Sequence, residues 1–193
     1  MNLRQRKENT KPIKKKVLIV CEGARTEPNY FKSFRVYKDC HIVGSGSNTL
    51  SVVKEAIRLK KENSYSEAWC VFDRDSFPAS RVKAALNLAE RNNIKCAFSN
   101  ESFELWYVLH FEYLDTQITR TDYCKKLTNL LGKKYEKNNA SIYEEILDRQ
   151  DQALKFAKKL EKKILPNGAC PANSYPYTTV YKIVERLNKL AKP

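Results

Sequence analysis

The stretch Val17–Phe31, VLIVCEGARTEPNYF, decides how the rest of the chain is read. Val17, Leu18, Ile19 and Val20 form an apolar run without polar alternation, the pattern of a strand covered on both faces of a sheet. The run stops at Glu22 and Gly23, where a glycine lets the backbone turn sharply. Thr26 stands where a helix N-cap is expected, with Pro28 in the first turn, and the helix should run to about Tyr37. A strand leading through a glycine into a helix is the opening unit of a parallel α/β sheet, and Glu22 marks the carboxyl end of its first strand.

The same alternation repeats outward from this unit. Cys40–Val43 reads as a short strand before Gly44-Ser45-Gly46, and Ser51 to Lys61 carries Val52, Val53, Ala56, Ile57 and Leu59 at near-helical spacing. Ala68–Phe72 is a third apolar strand, Ser80 is placed to cap a helix bearing Val82, Ala85, Leu86 and Ala89, and Ile94–Phe98 is a fourth strand. The order βαβαβαβ implies a parallel sheet with right-handed crossovers. From about residue 101 the pattern turns helical. SFELWYVLHF is apolar nearly all round, and DYCKKLTNLLGKKYEKNN reads as a helix followed by a basic loop. QDQALKFAKKLEKKIL is amphipathic, with Leu154, Ala157, Leu160 or its neighbour, and Ile164 inward. PNGACPANSYPY is an irregular loop and TTVYKIVERLNKL a closing helix. The chain therefore divides into a basic flexible N-terminus over residues 1–15, a catalytic core over 16–112 and a helical extension over 113–193 packed on that core.

Of the 193 residues, 42% are hydrophobic, enough for a sizeable core, and the formal net charge is +14. Such a charge suits a polyanionic partner, nucleic acid first among them, or a merely solvated basic surface. The six cysteines show no Cys-x-x-Cys spacing and only His41 and His110 could join them, so zinc is disfavoured and free thiols in a reducing, cytoplasmic compartment are expected. The N-terminus, MNLRQRKENTKPIKKK, lacks an apolar signal region, and no apolar run is long enough to span a bilayer, so no membrane is expected.

In an open parallel sheet, ligands bind beyond the carboxyl ends of the strands. Glu22 follows the first strand, Asp73 and Asp75 the third, and Glu101 and Glu104 the fourth, so all five acids fall on one edge. In a strict strand Asp73 and Asp75 point the same way and can reach one hard cation, Mg²⁺ or Mn²⁺. Taken alone, they read as turn residues at a strand end before they read as a metal site; with the acids at the matching strand ends, the metal reading strengthens. Glu27 either joins the site or steadies a helix N-terminus. Glu101 and Glu104 can share a helical face and, if turned to the core, need partners. His110 falls toward the other side of that helix and reads as structural before it reads as a general base. Arg25 is better placed than Arg74 to steady a phosphate, since Arg74 alternates away from the aspartates. The loop Gly44–Asn48 is a phosphate cradle or a plain turn. Tyr175, Tyr177, Thr178 and Thr179 stack a base or pack a core. Lys158, Lys159, Lys162 and Lys163 offer a basic face to nucleic acid or a partner.

The Glu-Gly after the first strand and the Asp-x-Asp after the third resemble a Toprim domain, the metal-dependent catalytic fold of topoisomerases, primases and OLD-type nucleases. More closely, VLIVCEGARTEPNYF, WCVFDRDSF, FSNESFELWYVLHF and YPYTTVYKIVERL resemble the RloB-like family, in order, over about residues 16 to 190. The resemblance implies a Toprim-like parallel β-sheet with flanking helices and a C-terminal helical extension. It implies a metal-dependent nuclease acting on RNA, with tRNA a candidate, or on DNA, as the toxic effector of an ATPase-linked antiphage defence system with an ATPase partner. Glu22 matches the Toprim glutamate, a metal ligand or general acid/base; Asp73 and Asp75 match the metal-binding pair; Glu27, Glu101 and Glu104 match family signature positions. The competing reading is a non-catalytic nucleic-acid-binding or ATPase-interacting subunit on the same scaffold, and a homo-oligomer is open under either. Primase-like synthesis ranks lower, because no zinc module or template-gripping domain is apparent.

Overall fold

The computed structural model describes residues 16–36, 40–75, 77–164 and 171–191. The basic lead over 1–15 and Cys170 lie outside the described residues. Strand β1 (Val17–Cys21) sits inside a five-stranded sheet of order β2-β1-β3-β4-β5, with β2 (Cys40–Gly44), β3 (Glu67–Asp73) and β4 (Lys95–Asn100) parallel to it. A two-residue strand, β5 (Tyr177–Thr178), closes the far side antiparallel to β4.

The continuous apolar run of β1 is explained by packing on both faces. Val17, Ile19 and Cys21 belong to one core, and Leu18 and Val20 to another, all five fully buried. The second core is filled by α2 (Thr49–Glu62) and α3 (Ala79–Arg91), through Val52, Val53, Ala56, Val82, Ala85 and Ala89. The first is filled by α1 (Thr26–Lys32), α4 (Glu104–Val108), α5 (Arg120–Leu131), α6 (Ile142–Ile146), α7 (Gln150–Ile164) and α8 (Val180–Ala191). Each fully buried Leu, Ile or Val contributes about 1.5–3 kcal/mol, so the two-sided burial of β1 anchors the sheet firmly. The fold is thus the expected α/β sheet with flanking helices and a helical C-terminal part. That part shares the first core with the sheet and also donates β5 to it.

Local details depart from expectation. Thr26 does not cap α1. Arg25 holds the N-cap position without a side-chain hydrogen bond, and Thr26 Oγ1 donates instead to the Lys137 carbonyl at 2.7 Å. The helix ends at Lys32. α2 begins two residues earlier than the spacing suggests, because Asn48 Oδ1 accepts from the Ser51 N–H at 3.2 Å and caps it. Ser80 lies inside α3, whose N-cap is Pro78. On α7, Gln150, Ala153, Ala157 and Leu160 are buried, while Leu154 and Ile164 are half-buried. α5 starts with a capping box, Thr119 Oγ1 accepting from the Asp122 N–H and the Asp122 carboxylate accepting from the Thr119 N–H, and ends at Gly132 with φ 68°. That cap fixes Arg120 as the first residue of the helix.

Candidate active site

Glu22 directly follows β1 and reaches across to β3. Its Oε2 accepts from the Asp73 backbone N–H at 3.0 Å, and its Oε1 accepts from Thr49 Oγ1 at 3.2 Å. Asp73 ends β3 at 7% exposure; its Oδ2 accepts from the Phe103 N–H at 3.0 Å, and its Oδ1 is buried without a hydrogen-bond partner. Asp75 lies beyond the strand, at φ 49°, and its N–H donates to the Glu101 carbonyl at 3.2 Å. The two aspartates therefore meet, but a left-handed turn brings them together and not the two-residue period of a strand.

Arg120 is what they meet at. Its guanidinium forms an ion pair with the Asp75 carboxylate and lies 3.5 Å from Asp73 Oδ2. Neither Arg25 nor Arg74 fills this position. Arg25 is exposed at the start of α1, and Arg74 leans over the Tyr175 ring, 4.7 Å from its centroid, with Nε 3.4 Å from the Phe77 carbonyl. Sequence reasoning missed Arg120 because 47 positions separate it from Asp73. The capping pattern Thr119-Arg120-Thr121-Asp122 locates the helix start, but no local rule says where that start points.

A second acidic pair backs the first. Glu27 is 6% exposed and Glu104 is 4% exposed. Tyr135 Oη donates to Glu104 Oε1 at 3.4 Å, and Lys137 Nζ lies 3.9 Å from the same oxygen. Burial, with the nearby Glu104 and Glu22 charges, pushes the Glu27 carboxyl up to about 6. Burial first, then Glu27 and Glu104, raise Asp73 well above the ordinary aspartate value, against the opposing pull of Arg120 and the Phe103 N–H. Burial likewise raises Glu22. The chain bends at Gly23 as expected, without a left-handed φ, and the glycine also serves this pair: a Cβ there would fall on the Glu27 carboxylate, with Glu27 Cδ only 2.8 Å away. Glycine is required because a carboxylate fills the place of its side chain.

Glu101 stays at the same edge, its carbonyl accepting from the Asp75 N–H, and the other candidates are dispersed. Glu101 is half-buried near Tyr123. His110 is fully buried, with Nδ1 2.9 Å from the Trp106 carbonyl and its ring edge-on to Trp106; burial lowers it to about 4, so it stays neutral near pH 7. The Gly44–Asn48 loop is tied down, the Ser45 N–H and Oγ both donating to the Cys21 carbonyl at 2.9 and 3.0 Å. Tyr177 and Thr178 are buried, Tyr177 Oη donating to Glu161 at 3.2 Å. On α7, Lys158 pairs with Glu185, Lys163 pairs with Asp115 at 3.0 Å, and Lys159 sits 3.9 Å from the Tyr113 ring centroid. Lys162 lines an open recess with Lys155, Phe156, Lys158 and Lys159.

Among the described residues, no group of three or more His, Cys, Asp or Glu side chains is arranged to hold a metal ion as it stands. Arg120 lies on the aspartates, and both Glu22 oxygens are engaged. The donor set nonetheless fits a hard cation chemically: it is all oxygen, and Asp73 Oδ1 is a buried acceptor with nothing to accept from.

Among the described residues, no helix is long and apolar enough to cross a membrane. No curated protein and no solved structure matches the chain. The family model described as RloB-like protein matches residues 17–187, from β1 to within α8, and the chain belongs to that family.

Proposed function

We propose that this chain is a metal-dependent phosphodiesterase that cleaves nucleic acid, RNA (tRNA among the candidates) or DNA, as the toxic effector of an ATPase-linked antiphage system. The observation that carries this reading is the convergence of Glu22, Asp73 and Asp75 at one sheet edge, with an unsatisfied Asp73 oxygen, in a protein of net charge +14. Glu22, Asp73 and Asp75 would hold Mg²⁺ or Mn²⁺, which supplies polarisation of the scissile phosphate and an activated water. The chain does the positioning. The Phe103 N–H holds Asp73, and Thr49 with the Asp73 N–H holds Glu22. Glu101, at the same edge, is the candidate for proton transfer with Glu22. Exposed Arg25 and the basic surface draw the polyanion in.

The test is sequencing of RNA ends after induced expression of the wild type and Asp73→Ala, with purified protein assayed on RNA and DNA in Mg²⁺ and in EDTA. New ends should appear with the wild type alone. Full cleavage by a folded Asp73→Ala protein ends the metal mechanism.

A second reading is favoured by Arg120. An aspartate pair already matched by a guanidinium, beside a Glu22 and a Glu27 whose burial disfavours the charged form, suits a non-catalytic nucleic-acid-binding or ATPase-interacting subunit. That protein would bind with steep salt dependence, ignore EDTA and cut nothing.

A further inference from the structure

The Asp73–Asp75 pair carries its own cation. Arg120 reaches it from the first turn of α5, with its side chain 39% exposed, and a capping box fixes the backbone behind it. The guanidinium is incompletely satisfied there: Nη2 pairs with Asp75 Oδ1 and lies 3.5 Å from Asp73 Oδ2, but Nε is buried without a hydrogen-bond partner. Asp73, 93% buried by its 7% exposure, likewise leaves Oδ1 without a partner. A partly exposed guanidinium and a buried carboxylate that face each other and each leave one buried polar atom unsatisfied are not a fully closed structural ion pair.

We infer that Arg120 is a displaceable internal cation that occupies the place a divalent ion takes between Asp73 and Asp75. The inference rests on the metal reading above and adds a control to it. A divalent ion and a guanidinium on one carboxylate pair repel each other, so each weakens the other's hold on it. Metal entry favours an Arg120 side chain that swings out. Its partial exposure gives it somewhere to go, and its long flexible stem allows the swing without moving the capped helix. In the metal-free protein Arg120 stands in for the ion and balances the buried Asp73 and the half-buried Asp75. Affinity for the ion is therefore set low by an intramolecular competitor, and a ligand that captures the freed guanidinium raises it.

The experiment is Mn²⁺ titration by calorimetry on the full chain, comparing wild type, Arg120→Gln and Asp73→Asn. Arg120→Gln should bind Mn²⁺ about tenfold or more tightly than the wild type, since one competing charge is removed. It should also gain more thermal stability from Mn²⁺ than the wild type does, because its metal-free state holds unbalanced carboxylates. Asp73→Asn should lose the site. Equal or weaker affinity in a folded Arg120→Gln protein overturns the inference and leaves the metal reading standing. Absence of Mn²⁺ binding in wild type and Arg120→Gln alike overturns both. A second measurement covers a variant that fails to fold: the Arg120 Nε–H resonance of the wild type, assigned with Arg120→Lys, should shift on saturation with Mg²⁺, and an unmoved resonance overturns the displacement.

Discussion

The Asp73 backbone N–H donates to Glu22 Oε2 at 3.0 Å, so the first strand's acid is held by the third strand's terminal amide. The contact ties two parallel neighbours at the point where their ladder stops. Glu22→Ala should leave that buried N–H unsatisfied and cost about 1–3 kcal/mol in denaturant unfolding. Glu22→Gln keeps a carbonyl acceptor and should unfold within about 1 kcal/mol of the wild type. Both should lose cleavage, because both lose the charge. Cleavage retained in Glu22→Gln would remove Glu22 from the chemistry.

Glu27 gives stability a pH dependence with a defined sign. Its carboxyl titrates at about 6 when folded, against an ordinary 4.5, so the folded state holds a proton that the unfolded chain has released. Stability is then greatest below pH 4.5 on this account and falls as pH rises through 6, by on the order of 1–2 kcal/mol. Asp73 and Glu22 are shifted the same way and add to the fall. Urea unfolding at pH 4.5 and 7.5 should show a smaller loss in Glu27→Gln than in the wild type. An equal or greater loss in the variant contradicts the assignment.

The two glycines flanking the site should respond unequally to alanine. At Gly23 the added methyl meets the Glu27 carboxylate, the mobile end of a side chain. At Gly44 it would lie 2.8 Å from the Ala24 carbonyl oxygen and 2.9 Å from that of Gly23, which are backbone. Gly44→Ala should therefore cost more, upward of about 2–3 kcal/mol, than Gly23→Ala. The Gly23→Ala penalty should shrink in a Glu27→Ala background, where the obstacle is gone. An additive double mutant would show that the two residues do not meet.

The α7 lysines should separate binding from metal. Lys158 and Lys163 are neutralised by Glu185 and Asp115, which leaves Lys159 and Lys162 as the freer charges. Reversing all four to Glu should weaken nucleic-acid or partner binding and leave divalent-ion affinity intact. Lys162→Glu alone should lower the salt slope of RNA binding by about one unit. Unchanged binding to nucleic acid and partner alike would reject the docking role.

β1, β3 and β4 were legible because each carries a short apolar run buried within the sheet, and β2, half-exposed at the edge, because its short run ends at a glycine turn. β5 was not: two residues carry no period, and Tyr177 and Thr178 are strand only because β4 offers an edge. The acids were legible through topology, which places strand ends together whatever the side chains do. Their mutual arrangement was not. It depends on the left-handed turn at Asp75, on the vacant side-chain position at Gly23, and on Arg120 arriving from a distant helix. Thr26 misled for a related reason: its hydroxyl found the Lys137 carbonyl, a partner 111 positions away, in place of its own helix.

Ser99 pairs with Thr178, and the Phe98 N–H donates to Thr179 Oγ1 at 3.0 Å, so β4 gains its outer neighbour from residues made some eighty positions later. Asn100, at the end of that strand, donates to the Ser174 carbonyl at 2.7 Å. The acidic edge is thus finished by residues 174–179, which are translated well after the strands that carry the acids. A nascent or prematurely terminated polypeptide that stops before residue 174 has the carboxylates but not the wall that seats β4 beside them. On the proposed nuclease reading, a copy translated only as far as residue 173 would lack the completed edge, so synthesis itself would delay competence.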